Sequence, residues 1–94
     1  MKKATKAEKQ HMADVAELCC LACKLLGFED TPAQIHHFRP YGYRDHMKVI
    51  PLCPDHHQHG KLSRHGTPGD FQLRFGTDHD LYLWVQKLLD KDAV

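Results

Sequence analysis

Apolar positions first settle into a pattern near the start of the chain. Met12, Val15, Ala16 and Cys19 follow the i, i+3, i+4, i+7 spacing of one helical stripe, which predicts a helix from about Lys6 into Cys19-Cys20. Leu25, Leu26 and Phe28 follow as expected core residues, with Gly27 as a turn or helix stop, and Cys19 is expected to be a small buried apolar side chain. Thr31-Pro32 interrupts the pattern. Ala33 to Phe38 then reads as a strand, in which alternation puts Ile35 and His37 on one face and His36 on the other. Val49-Ile50-Pro51-Leu52 is a second short strand, with Pro51 marking an edge or strand-end position. Pro54 suits the first position of a helix, so a short helix is expected from Asp55 to about Leu62, carrying His56, His57 and His59. A helical turn over Asp70 to Phe75, closed by Gly76, precedes a last helix over about 78–91. Thr77 with Asp80 three residues on signals that helix's start, and Leu81, Trp84, Val85, Leu88 and Leu89 form its apolar stripe.

These elements predict one α+β domain over residues 1–94, with residues 1–5 as a flexible basic arm. A chain of 94 residues forms a core too small to be comfortable without a staple. No apolar run approaches the length of a membrane helix, and no hydrophobic segment follows the basic start, so neither a membrane location nor a secretory signal is expected. A cytoplasmic location follows as the expectation, and there a C-x2-C is more often a metal pair than a disulfide. The net charge of +1 conceals an asymmetry. Residues 1–65 carry ten Lys and Arg against seven Asp and Glu, while residues 66–94 carry three against five. The basic side coincides with the histidine-rich stretch, a weak pointer to a polyanionic partner.

Candidate chemistry gathers in that stretch. Seven of the nine histidines lie between His36 and His65. Cys20 and Cys23 form a C-x2-C, and Cys53 and His56 a C-x2-H, together the two short-spaced pairs that a tetrahedral structural zinc requires. His56 and His57 compete for the fourth position. The C-x2-H spacing assigns it to His56, because successive helical residues point about 100° apart and one ion does not readily take both. His36, His37, His57, His59 and His65 are surplus to such a zinc and point to a second site. Between the strands, Arg39-Pro40-Tyr41-Gly42-Tyr43-Arg44 interleaves two arginines with two tyrosines, a combination able to hold phosphates and stack on bases.

A strand, loop, strand and helix, with His36-His37 on the first strand and Cys53-x2-His56-His57 at the helix start, resembles the zinc-stapled branch of the HNH, or ββα-metal, nucleases. More closely, Lys6 to Leu89 resembles the phage recombination-enhancement (Ref) proteins, RecA-dependent HNH nucleases. The match runs through Lys6-Ala7-Glu8-Lys9, Met12-Ala13, Cys20 and Cys23, and Asp30 to His37. It continues through Ile50 to Pro54, His56-His57, His65-Gly66 and Phe75-Gly76-Thr77.

The resemblance implies metal-dependent DNA endonuclease activity in phage recombination, in the host bacterial cytoplasm, with DNA as substrate and a RecA filament as partner. It implies His37 as general base, His36 and His57 as ligands of a catalytic metal, and His65 as the third ligand with His59 as the alternative. Cofactors are then a structural Zn²⁺ and a second divalent ion, Zn²⁺, Mg²⁺ or Mn²⁺. An all-imidazole site favours zinc or another transition ion as the occupant. Arg39, Arg44, Lys48, Lys61 and Arg64 are the expected DNA contacts. Two positions depart from the family pattern: its Asn falls near Lys48 or Asp45, and its second helical ligand falls at Lys61. The competing expectation, from a different class, is a non-catalytic zinc module that binds DNA or a recombinase filament.

Overall fold

Thr5 opens the first helix by a reciprocal cap. Its hydroxyl accepts from the Glu8 amide at 3.1 Å, and the Glu8 carboxylate accepts from the Thr5 amide at 2.8 Å. In the computed structural model, which describes residues 3–92 except 40, 41 and 44, and leaves out the side chains of 59, 91 and 92, this helix is α1, Lys6–Glu17. The arm expected over 1–5 therefore ends in a residue that belongs to the helix cap. Val15 is fully buried and Met12 packs against the core, in accord with the apolar stripe.

The chain then turns sharply. Cys19 takes a left-handed backbone conformation, with φ at +67°, and its side chain is half-buried rather than buried as expected. That turn delivers Cys20 as the cap of a five-residue helix, α2, Leu21–Leu25, whose buried side is Leu21, Ala22 and Cys23. Leu25, Leu26 and Phe28 were expected in the core and are instead 48, 40 and 64 % exposed. The helix is little more than one turn long, and the chain turns away directly after it at Gly27, φ +96°, so these side chains lie at and beyond its end.

Strands β1, Gln34–His37, and β2, Val49–Leu52, form an antiparallel pair with His36 opposite Ile50 and His37 opposite Val49. The alternation expected along β1 is present, with His36 buried and Ile35 and His37 half-buried. All four residues of β2 are buried, because α1, α2 and the last helix of the chain close over this strand.

The helix expected from Asp55 to Leu62 is a single wide turn, Asp55–His59. Its closing bond runs five residues, from the Gly60 amide to the Asp55 carbonyl at 2.8 Å. Regular winding stops there because the chain doubles back. The Arg64 and His65 amides cap the His56 and His57 carbonyls at 2.7 and 3.0 Å, bonds that a longer helix would have made from within. Buried Ser63 fastens the return, its amide donating to the Thr67 hydroxyl and its own hydroxyl accepting from the Gly66 amide, both at 3.0 Å.

Helix α3, Pro68–Phe75, starts two residues before its expected position, with Pro68 in the first turn where its missing N–H costs nothing. Gly76, at φ +104°, ends it and leads into α4, Asp78–Asp92. The expected cap is present: Thr77 and Asp80 exchange side-chain-to-amide bonds, both 3.1 Å. Leu81 and Val85 are buried, and Trp84, Leu88 and Leu89 pack beside them. Among the described residues no helix is long and apolar enough to cross a membrane.

Candidate metal centres and the cavity over the second

Two clusters of metal-ligating side chains lie on either side of the Asp55–His59 turn. The first brings together Cys20, Cys23, Cys53 and His56, whose sulfur and nitrogen atoms all lie within 4.8 Å of one another. The Cys23 and Cys53 sulfurs are 3.8 Å apart, too far for a disulfide of about 2.05 Å. The His56 Nδ1 atom lies 3.7, 3.5 and 3.2 Å from the sulfurs of Cys20, Cys23 and Cys53. A tetrahedral zinc with ordinary bond lengths would separate two sulfurs by about 3.8 Å, and a sulfur from a nitrogen by about 3.6 Å. The donor set therefore fits such an ion in both chemistry and spacing. Burial pushes the Cys20 thiol up to about 12, with the neighbouring thiols adding to the rise and backbone N–H groups opposing it. Three buried sulfurs gathered without a disulfide are costly as thiolates unless a cation joins them. Burial also lowers the His56 imidazole, keeping its ring neutral and able to donate a lone pair.

The second cluster is His36, His57 and His65, again with ligand atoms within 4.8 Å of one another. Their ring centroids lie 4.8 to 5.2 Å apart. Three different elements supply them. His36 comes from the inner face of β1, His57 from the wide turn, and His65 from the returning segment. Adjacent in sequence, His56 and His57 diverge to the two clusters, with the His56 ring held edge-on against Phe75 at 5.4 Å.

The surroundings of the three imidazoles suit a cation. The His57 Nδ1 donates to Gln34 Oε1 at 3.0 Å, which leaves Nε2 as the lone-pair nitrogen. The His36 Nε2 atom is buried without a hydrogen-bond partner and lies 3.6 Å from a carboxylate oxygen of Asp78. Burial lowers the His65 imidazole, with His36 and Arg64 adding to the effect and Asp78 opposing it. Three imidazoles converging on one point, one with an orphaned buried nitrogen, fit a divalent transition ion better than a packed core.

Asp78 had no place among the expected site residues. Arg64 grips it with both prongs of the guanidinium, Nε to one carboxylate oxygen and Nη2 to the other, each at 2.7 Å. Burial pushes the Asp78 carboxyl up, but the paired bonds from Arg64, helped by the nearby His36 ring, outweigh it and hold the group well below the usual carboxylate range. An anionic side chain thus stands beside His36. Its sequence signal was an acid at the first turn of α4, which reads as helix capping and conceals the rest. Gln34 was likewise read only as a strand residue.

A cavity of about 540 Å³ opens over the second cluster. His36, His57, His65, Arg64 and Asp78 line it, and His37 and Arg39 reach it from β1 and its exit. The His37 Nε2 atom is 3.1 Å from the Nδ1 of His46. Of the expected DNA contacts, Arg39 and Lys61 are exposed, and Lys48 donates to the Tyr82 hydroxyl at 3.0 Å. The guanidinium of Arg64 is committed to Asp78. Arg44, and the side chain of His59 as alternative ligand, lie outside the described residues.

The fold and site together define a small α+β protein with two clusters able to hold a metal ion, one Cys3His and one of three imidazoles, the second in an open cavity. A family model described as recombination enhancement, RecA-dependent nuclease, matches residues 4–90, and the chain belongs to that family. The family description carries nuclease activity, a role in recombination and a link to RecA. No curated protein matches the chain.

Proposed function

We propose that this protein is a metal-dependent endonuclease of the HNH, or ββα-metal, type that hydrolyses DNA phosphodiester bonds in recombination, in association with a RecA filament. The observation that carries the reading is the placement of His37 and the His36, His57 and His65 cluster on the wall of one cavity. Hydrolysis needs a base for water and a positive charge at the phosphate, both within reach of one phosphorus atom.

His37 is the general base. A neutral imidazole, with an unperturbed pKa of about 6.5, takes a proton from water near pH 7. The resulting hydroxide attacks phosphorus, the bond to the 3′ oxygen breaks, and the 3′ oxygen acquires a proton from solvent. His36, His57 and His65 would hold a divalent ion, which when bound supplies charge neutralisation at the attacked phosphate and the departing oxygen. Gln34 orients His57, while Asp78, braced by Arg64, holds a negative charge beside His36. Arg39 and Lys61 meet the DNA backbone, with Lys48 and Arg44 alongside. Cys20, Cys23, Cys53 and His56 would hold a structural zinc beside the turn bearing His57. The strand–loop–strand–turn order, with the paired histidines on the first strand, supports the HNH assignment.

Supercoiled plasmid incubated with the purified protein and Mg²⁺, Mn²⁺ or Zn²⁺, with and without RecA and ATP, tests this. Relaxed or linear product that disappears on chelation is the expected result. DNA binding without cleavage under every condition would replace the nuclease with a non-catalytic zinc module.

A further inference from the structure

The assignment of His37 as base leaves open what holds its ring. We propose that His46 is the positioning residue for His37, fixing its ring angle and tautomer through the hydrogen bond between His37 Nε2 and His46 Nδ1; this rests on His37 being the base. The two atoms are 3.1 Å apart, and the rings meet edge to face at 78° with centroids separated by 5.2 Å. Of two neutral imidazoles sharing such a bond, one donates and the other accepts. With His37 donating from Nε2, its Nδ1 carries the lone pair that takes the proton from water. The opposite tautomer would place the proton where the base is needed.

His46 is itself well placed to act as a fixed partner. It sits in the turn entering β2, where the Met47 amide donates to the Asp45 carboxylate at 2.8 Å and the Lys48 amide to the Asp45 carbonyl at 3.0 Å. A further bond from the Phe38 amide to the Lys48 carbonyl, at 3.3 Å, extends the strand pairing to the base of that turn. His37 and His46 are therefore tied to the same end of the hairpin from its two sides. Both rings are half-buried, which limits competition from water for the bond.

The test is plasmid cleavage under the conditions in which the unmodified protein cuts. His46→Ala should lower kcat by about 10- to 100-fold while KM for DNA, metal content and melting temperature hold. His46→Asn, which keeps a polar atom near the place of Nδ1, should recover at least half of the lost activity on a logarithmic scale. Combining His46→Ala with His37→Ala should cut no more slowly than His37→Ala alone, because a residue acting only through His37 has nothing left to position. Should His46→Ala fail to fold, His46→Phe keeps the ring volume without a nitrogen and carries the same expectation. Normal kcat in the His46→Ala or His46→Phe protein, or an additive loss in the double variant, overturns the positioning role while His37 stands as base. Normal cleavage by His37→Ala overturns both.

Discussion

His36 and His37 are neighbours in the chain with different surroundings, since strand alternation buries one and leaves the other half-exposed beside His46. Substitutions should separate them. His37→Ala is expected to slow cleavage by about 10² to 10⁴, the range of a positioned general base, while DNA affinity, its salt dependence and the melting temperature hold. His36→Ala is expected to lose cleavage and also one equivalent of bound metal, measured by metal analysis of the purified protein. Cleavage by His37→Ala at the normal rate would remove the base from the scheme. Arg64 supplies a second contrast. Arg64→Ala leaves the Asp78 carboxylate without its fork in a half-buried setting, at a cost of about 1 to 2 kcal/mol. The full penalty of a buried pair does not apply, because 30 % of the Arg64 side chain is exposed. A melting temperature lower by about 5 to 15 °C, with weaker metal retention at the His36 cluster, is the expected result. Unchanged melting and metal content would show that the brace carries no weight.

At the scale of elements, the wide turn Asp55–His59 is the hinge of the site, because its adjacent histidines serve different clusters. Gly60 makes it possible: a Cβ there would lie 2.3 Å from the Asp55 carbonyl oxygen, closer than real contacts allow. Gly60→Ala should therefore force the turn open, costing about 1 to 3 kcal/mol and loosening metal at both clusters together. Loss of metal from only one cluster would contradict the shared hinge. The short helix α2 makes the opposite point. Leu25, Leu26 and Phe28 have the composition of a core but lie at and beyond the end of a helix of little more than one turn. Phe28→Ser is expected to change stability by no more than about 0.5 kcal/mol in a denaturant titration. A loss of 2 kcal/mol or more would mean that Phe28 is covered in solution.

Across the whole molecule, the thinnest dimension is 19 Å, so the core between the hairpin and its helices is shallow. The Cys20, Cys23, Cys53 and His56 cluster joins α2 to the wide turn across that core, its two halves 30 or more positions apart in sequence. For so small a protein, a metal bound there would contribute mainly folding free energy. A strong chelator, or Cys53→Ser, should unfold or markedly destabilise the protein, as followed by circular dichroism and thermal melting. An unchanged spectrum and melting temperature in chelated protein would refute the staple.

Much of this architecture was legible in the residues alone, because the signals are local. The period of 3.6 marked α1 and α4, alternation separated His36 from His37, and the short spacings Cys20-x2-Cys23 and Cys53-x2-His56 reflect ligands that turn back on one point within a few residues. His57 and His65 also stood out, as histidines left over once those pairs were formed. What local pattern does not contain is the partner that another element brings. Asp78 was only one residue at the start of the last helix until the fold set it against Arg64 and His36, Gln34 was only a strand residue until the wide turn presented His57 to it, and His46 lay unassigned in a loop until the hairpin closed. The same limit explains the misplaced core residues, since hydrophobicity states that a side chain gains from burial, whereas only packing decides which side chains find room. Sequence determined the donor types and their short-range spacing; tertiary structure decided which distant groups orient them, because hydrogen bonds and burial between elements depend on the closed fold.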